Sequence, residues 1–374
     1  MDKLGVGIIG CGNVSATYLR LAPIFRGIEI RGVADSDPMA AANRGDEFGV
    51  PVFDVDRLLA APEIDIVVNL TVPAAHFAVT RAILEAGKHA YSEKPIVLTL
   101  EEGAALRALA EATSLRIGSA PDTFLGGAHQ HARALIDDGK VGEIVAGTAH
   151  VMSHGMEHWH PNPEFFFQPG AGPVLDIGPY YVTNLIQLLG PARRVAALSS
   201  IATPTRTITS QPRRGETIAV ETPTNVQALI EFRSGATVSL SASWDVWSHR
   251  HGPMELYGTE GTLYLPDPNF FGGVVELAHC DGTLGDLEPW DHPFGAANEG
   301  GLANYRAAGL ADMAQAILQD RPHRCSLSLA LHAVDVMTSI LKSGETGQFE
   351  AVTSTCDRPA PLAPAAARAL LVNP

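Results

Sequence analysis

The sequence predicts two domains of different class: a doubly wound parallel α/β sheet first, then an α+β domain. Three observations carry that prediction. The chain has 374 residues, long enough for two hydrophobic cores and too long for one. Its first third alternates strand-like and helix-like segments. After about residue 125 the texture changes to runs of strands separated by glycine-containing turns.

In the first third, residues 4–10, 28–35, 64–70, 89–92 and 115–119 are short apolar runs that read as buried strands. Between them, 14–21, 38–48, 74–86 and 100–112 carry helical patterns. Near-continuous apolar strands alternating with helices are the pattern of a parallel sheet covered on both faces. Pro38 and Pro73 stand where helices begin, a position that needs no amide proton. Gly87 stands where the third helix should stop. The boundary is set at 1–124 and 125–374. In the second part, a helix at 128–138 and a strand at 143–154 lead into a loop rich in Pro, Gly and aromatic residues, then a helix at 176–189. Strands follow at 225–232, 237–244, 254–257, 262–265 and 274–278, with the polar stretch 204–221 expected as an exposed loop or hairpin. Helices at 309–318 and 327–341 precede a Pro/Ala-rich tail, expected to pack back on the N-terminal domain.

Hydrophobic residues at 46% and charged residues at 18% are those of a globular protein. The formal net charge of −15 argues against a nucleic-acid partner, which calls for basic patches. It leaves a nucleotide cofactor open, because backbone amides can hold phosphates. Cys11, Cys280, Cys325 and Cys356 show neither CxxC nor zinc spacing, so free thiols in a reducing compartment are expected. No secretory pattern opens the chain and no stretch reaches the roughly 20 apolar residues of a membrane span. A soluble, cytoplasmic protein with no membrane partner is the expectation.

Gly10-Cys11-Gly12-Asn13-Val14-Ser15 follows the first strand and opens the first helix. Gly10 permits a tight turn, and Gly12 lets the backbone approach a pyrophosphate at the helix N-terminus. Ser15 replaces the usual third glycine. Asp35 ends the second strand, where a carboxylate accepts hydrogen bonds from ribose hydroxyls. It favours NAD over NADP, while Ser36 and Arg44 leave NADP open. Tyr91-Ser92-Glu93-Lys94-Pro95 lies at the carboxyl end of a parallel strand, the edge where such sheets bind ligands. A lysine there can hydrogen-bond a hydroxyl or carbonyl and exchange a proton.

The run 6–14, then Asn69-Leu70-Thr71-Val72-Pro73 with His76, then Glu93-Lys94-Pro95, resembles the Gfo/Idh/MocA family of oxidoreductases. The segment 170–180, Gly-Ala-Gly-Pro-Val-Leu-Asp-Ile-Gly-Pro-Tyr, is similar to the family's substrate-helix motif. The resemblance covers nearly the whole chain in order. It implies a Rossmann domain followed by an α+β domain with a large, mostly antiparallel, open-faced sheet. It implies a NAD(P)-dependent dehydrogenase acting on a sugar, polyol or cyclitol, assembled as a homodimer or homotetramer, with no metal. The implied cofactor contacts are Gly10, Gly12, Asn13, Val14, Asp35, Ser36, Leu70, Thr71, Pro73, His76, Glu93 and Lys94. Lys94 would touch the reacting oxygen, Asp176 position substrate or lysine, and Tyr180 supply the second acid/base group, where many members have histidine. Positions four apart share a helix face, so Asp176 and Tyr180 are expected to point the same way. A cis Lys94-Pro95 bond would aim the lysine.

The loop from His154 to Pro163 holds three histidines and a glutamate, yet lacks the spacing of a metal site. It is expected as a lid whose Trp159 and His160 stack on and hydrogen-bond a sugar ring. Asp122, at the same sheet edge as Lys94, is a further candidate substrate contact. Asn304-Tyr305-Arg306 is expected to open a late helix. Two other function classes stay open: a redox-neutral NAD-dependent glycosidase and a non-catalytic dinucleotide-binding sensor.

Overall fold

A computed structural model describes residues 3–373. Two compact units divide the chain. The first comprises residues up to Gln130, Trp290–Val334 and the stretch from Pro359 onward; the second comprises His131–Pro289 and Asp335–Arg358.

The first unit opens with β1 (Leu4–Ile9), α1 (Asn13–Leu21), β2 (Ile28–Ala34), α2 (Pro38–Phe48) and α3 (Val55–Ala60). It continues through β3 (Ile66–Asn69), α4 (Pro73–Glu85), β4 (His89–Ser92), α5 (Leu100–Thr113) and β5 (Ile117–Ser119). All five strands pair in parallel in the order β2-β1-β3-β4-β5. Val6 and Ile8 of β1 and Ile66, Val67 and Val68 of β3 are fully buried, which is why both faces of these strands are apolar. The helices start where the sequence signals them. Asp37 caps α2 by accepting the Met39 amide at 2.9 Å, with Pro38 next and Gly49 ending the helix in the left-handed region. Thr99 and Glu102 form a reciprocal capping box at α5.

The second unit follows with α6 (Gly127–Asp137), in which the unit boundary falls, β6 (Ile144–Met152), α7 (Gly172–Asp176) and α8 (Gly178–Leu189). Its strands are β7 (Ala192–Ser200), β8 (Thr205–Thr207), β9 (Thr217–Ala219), β10 (Asn225–Phe232) and β11 (Thr237–Ser243). They continue with β12 (Met254–Gly258), β13 (Gly261–Leu265), β14 (Glu276–His279) and β15 (Leu284–Gly285). The chain closes with α9 (Ala308–Leu318), α10 (Leu327–Thr346), β16 (Glu350–Ala351) and α11 (Pro364–Leu370). Nine strands form one sheet in the order β15-β14-β13-β12-β6-β11-β10-β7-β16, antiparallel except at β11–β6. Along β10 burial alternates strictly, with Val226, Ala228, Ile230 and Phe232 inward. That inner face packs under α7 and α8. The other face carries Leu198 and Leu229, 73% and 50% exposed.

The observed units differ from a division at 124/125. The tail is bonded to the β1–β2 region: Phe25 bridges Leu371, and the Arg26 amide donates to the Leu370 carbonyl at 2.7 Å. Residues 290–334 join the same unit because α9 packs on β5 and the Ser119 amide donates to the Cys325 carbonyl at 3.0 Å. The helix expected across 176–189 is two helices, α7 and α8, broken at Ile177. The stretch 204–221 is the β8–β9 hairpin but is not simply exposed, because Ile208, Ile218 and Val220 bury into an aromatic core with Phe166, Phe167 and Trp244. Asn304-Tyr305-Arg306 precedes α9 rather than opening it. There the Tyr305 ring stacks on Phe294 at 4.8 Å.

Candidate active site

Because the five strands are parallel, the turns after β1, β2, β3, β4 and β5 all leave one edge of the sheet. The strand order reverses around β1, whose neighbours are β2 and β3, and that switch point is where such sheets open a crevice. Gly10 and Gly12 leave β1, Asp35 leaves β2, Leu70–Pro73 leave β3, Glu93–Pro95 leave β4 and Asp122 follows β5.

The two glycines answer different demands. Gly10 has φ +104°, and a Cβ there would lie 2.6 Å from the Leu70 carbonyl carbon, so the fold itself requires glycine. Gly12 has φ −71°, and a Cβ added to it would meet nothing within 4 Å. No neighbour among the described residues demands glycine there, and the space beside it is open. Asn13 next to it is exposed and Val14 half-buried. Ser15, fully buried, donates its hydroxyl to the Gly12 carbonyl at 2.6 Å, so the third small residue closes the turn. Arg44 on α2 donates to the same carbonyl at 3.1 Å and pairs with Glu47.

Asp35 organises the loop it faces. One carboxylate oxygen accepts the Cys11 amide at 2.6 Å, and the other accepts the Asp37 amide at 2.8 Å. Ser36 lies exposed beside it. Burial pushes the Cys11 thiol up to about 11, with Asp35 adding to the rise and Arg44 opposing it. Two exposed apolar residues at this edge escaped the sequence prediction: Met39, in the first turn of α2, and Val72, before α4, 68% and 65% exposed. Their signal was available, since both sit beside helix-start prolines at strand ends.

The turns after β3 and β4 are braced to one another. Asn69 is fully buried and donates to the His76 carbonyl and the Thr80 hydroxyl, each at 3.1 Å. It also accepts the Thr71 hydroxyl at 2.7 Å. His76 is 1% exposed, with Nδ1 2.6 Å from the Pro95 carbonyl and Nε2 2.9 Å from the Thr71 carbonyl. Both ring nitrogens are thus engaged by backbone, so His76 braces the turns after β3 and β4. Glu93 is 8% exposed. One of its oxygens accepts the Tyr18 hydroxyl at 3.1 Å and the other the Lys94 amide at 3.1 Å. Leu70 is 9% exposed, Thr71 and Pro73 half-buried, and Lys94 is half-buried with a cis bond to Pro95.

Asp122 sits at this edge but is 1% exposed, and it accepts the Gly309 amide at 3.0 Å. Burial pushes its carboxyl up to about 6; Glu93 adds to the rise, while the Gly309 amide and Arg306 oppose it. Asp122, expected as a substrate contact from its sheet-edge position, is buried and holds the first turn of α9.

In the second unit, Asp176 ends α7 and Tyr180 lies in the first turn of α8, with its amide donating to the Ile177 carbonyl at 3.1 Å. The helix is interrupted at Ile177 between them, so helical spacing alone does not set their relative direction. Asp176 is half-buried and Tyr180 5% exposed. Trp159 is 57% exposed, edge-on to His160 at 5.3 Å, and His160 is packed edge-on to Phe165 and Phe166 at 5.4 and 5.1 Å. The loop is anchored by a residue the sequence did not reveal. Arg206, on the β8–β9 hairpin with a side chain 7% exposed, pairs with Glu157 at 2.7 Å and with Asp245. It donates also to the His154 carbonyl at 3.0 Å and the Trp244 carbonyl at 2.9 Å. Among the described residues no three His, Cys, Asp or Glu side chains gather into a metal-holding group, and no helix is long and apolar enough to cross a membrane.

Residues 4–120 match the family described as oxidoreductases with a NAD-binding Rossmann fold, and residues 129–264 match the GFO/IDH/MocA C-terminal domain. An uncharacterized oxidoreductase of Schizosaccharomyces pombe is 30% identical over 38% of this chain and 39% of its own length. Across the first three curated relatives the match spans 38 to 54% of their lengths. Levoglucosan dehydrogenase of Pseudarthrobacter phenanthrenivorans is 26% identical over 70% of this chain and 73% of its own. A solved levoglucosan dehydrogenase in complex with NADH shares the fold at a TM-score of 0.81 and 22% identity, over 94% of this chain and 100% of that one.

Proposed function

The chain belongs to the Gfo/Idh/MocA family of oxidoreductases, with a NAD-binding Rossmann domain at its N-terminus, and from that premise we propose that it is a NAD-dependent dehydrogenase of a sugar, polyol or cyclitol. One observation carries the proposal. The carboxyl edge of the parallel sheet holds both a glycine cradle left open at Gly12 and a braced lysine, Lys94. The residues present fit the dinucleotide: Gly10, Gly12, Asn13 and Val14 offer a helix N-terminus to the pyrophosphate, and Asp35 with Ser36 faces the ribose. Met39 and Val72 give the adenine apolar surface, and Leu70, Thr71 and Pro73 line the path toward Lys94. Arg44, drawn to the Gly12 carbonyl and to Glu47, is already committed, which favours NAD over NADP.

When bound, the nicotinamide supplies the acceptor for the hydride that leaves the carbinol carbon. Lys94 holds the substrate hydroxyl and takes its proton, so the alcohol loses one hydride and one proton and becomes a carbonyl. Asp176 and Tyr180 complete the proton-handling set, with Asp176 orienting and Tyr180 as the second acid/base group. Trp159 offers an exposed ring face to the sugar, and His160 sets the angle of that ring from within the aromatic cluster. Leu198 and Leu229, exposed on the open face of the nine-stranded sheet, support self-association through that face; sedimentation as a monomer at micromolar concentration would argue against it.

The test is incubation with NAD, and separately NADP, against aldoses, inositols, polyols, levoglucosan and glycosides, reading reduced nicotinamide by absorbance with product chromatography alongside. Reduced cofactor accumulating with one substrate class supports the dehydrogenase. A glycoside cleaved without accumulation would replace it with redox-neutral hydrolysis, and cofactor binding without turnover would point to a sensor.

A further inference from the structure

The lysine loop after β4 is fastened to the cofactor helix at a buried point. Tyr18 lies on α1, the helix whose N-terminus is the Gly10–Gly12 turn, and it is fully buried. Its hydroxyl donates to one oxygen of Glu93 at 3.1 Å, while the other Glu93 oxygen accepts the backbone amide of Lys94 at 3.1 Å. On the far side of Lys94, His76 engages the Pro95 carbonyl at 2.6 Å. The backbone on either side of the Lys94 side chain is therefore held by a buried polar group.

We propose that Tyr18 and Glu93 are positioning residues that couple α1 to Lys94, so that the helix receiving the pyrophosphate also fixes the orientation of the lysine. Three features support it. A carboxylate 8% exposed is costly to bury for the sake of one amide, which a neutral acceptor would satisfy equally. Tyr18 remains a hydroxyl donor, because burial first and the Glu93 charge second push its ionisation well upward. The charged groups beside the pair include Asp122 and Arg306, of opposite sign, and the buried Tyr91 adjoins both members, so the bridging carboxylate has a counter-charge nearby. Loss of the hydroxyl leaves the ring packed and the amide's acceptor free to swing.

The coupling rests on Lys94 acting in the dehydrogenase proposed above, and its test separates the two claims. Tyr18→Phe, Glu93→Ala and the double variant would be compared with wild type by hydrogen–deuterium exchange of the segment containing Lys94, which has only that amide between Glu93 and Ile96. NADH affinity by fluorescence and kcat and KM with NAD and the oxidised sugar complete the set, with Lys94→Ala as control. Tyr18→Phe should speed exchange at the Lys94 amide about fivefold and lower kcat by a similar factor, the loss of one hydrogen bond. NADH affinity and the KM for NAD in Tyr18→Phe should stay within about twofold, and adding Tyr18→Phe to Glu93→Ala should cost nothing further, as one shared link requires. Unchanged exchange and kcat in Tyr18→Phe would overturn the coupling, as would losses that simply add in the double variant. If wild type oxidises no sugar, or Lys94→Ala still turns over, the dehydrogenase proposal has failed, and amide exchange alone still decides whether Tyr18 holds the loop.

Discussion

Substituting the two loop glycines one at a time separates folding from cofactor binding. At Gly12 the backbone is in a region open to any residue, and a Cβ meets nothing within 4 Å. Gly12→Ala should therefore leave stability within about 0.5 kcal/mol of wild type, as at an ordinary surface position. If Gly12 is kept open for a pyrophosphate, the new methyl displaces it from the α1 amides. Losing one charge-assisted hydrogen bond costs about 1.5–3 kcal/mol, on the order of 10- to 100-fold in affinity. At Gly10, φ +104° and a 2.6 Å approach to Leu70 put the cost into the fold, about 1–3 kcal/mol of backbone strain before any clash is relieved. The assay pairs urea denaturation with NADH fluorescence titration. The two variants should fall on opposite axes: Gly12→Ala stable and weakly binding, Gly10→Ala destabilised. A Gly12→Ala protein that binds NADH as tightly as wild type would refute the assignment of the cradle.

Two further predictions concern stability. Arg206→Met should cost about 3–5 kcal/mol, because it strands the carboxylates of Glu157 and Asp245, 7% and 17% exposed, without their counter-charge; a loss under about 1 kcal/mol by urea denaturation would contradict the anchoring role. His292, 4% exposed, accepts the Phe294 amide on Nδ1 at 3.2 Å and donates from Nε2 to the Leu362 carbonyl at 2.9 Å, an arrangement that holds it neutral. Burial first lowers it from 6.5 to about 4. Protonation then favours the unfolded chain, so stability is whole above pH 6.5 and falls by about 3 kcal/mol as pH drops toward 4. His292→Gln should flatten that part of the stability–pH curve, and an unchanged slope would show that the histidine does not carry it.

The parallel domain was legible because its signals are local. A strand of apolar residues, a Gly10-x-Gly12 turn, an acid at 35 and prolines at helix starts each act within a few residues. Strand β7 went unread because its exposed positions break alternation, with Arg193 and Arg194 both outward and Leu198, an apolar residue, 73% exposed. The break at Ile177 was hidden by spacing, since Gly178-Pro179 starts a new helix as readily as it continues an old one. His76 and Glu93 were placed near the cofactor by family pattern; in the fold His76 meets two backbone carbonyls, Glu93 meets the Tyr18 hydroxyl and the Lys94 amide, and no motif announces those braces. Asp122 stands at the right edge, but its burial depends on α9, which lies far along the chain. Arg206 had no signal at all: as one of three arginines in the polar stretch 204–221, it gives no sign of the carboxylates, at 157 and 245, that it joins.

Direct hydride transfer from a carbohydrate carbinol, with Lys94 taking the proton, is the claim on which the rest depends. The most direct measurement is mass spectrometry of the nicotinamide after reaction with a levoglucosan or inositol fully deuterated at its carbinol carbons. The expected result is NADH heavier by one deuterium with the wild-type protein and none with Lys94→Ala. NADH that gains no label, label returned to a cleaved sugar product, or transfer that persists in Lys94→Ala would contradict it.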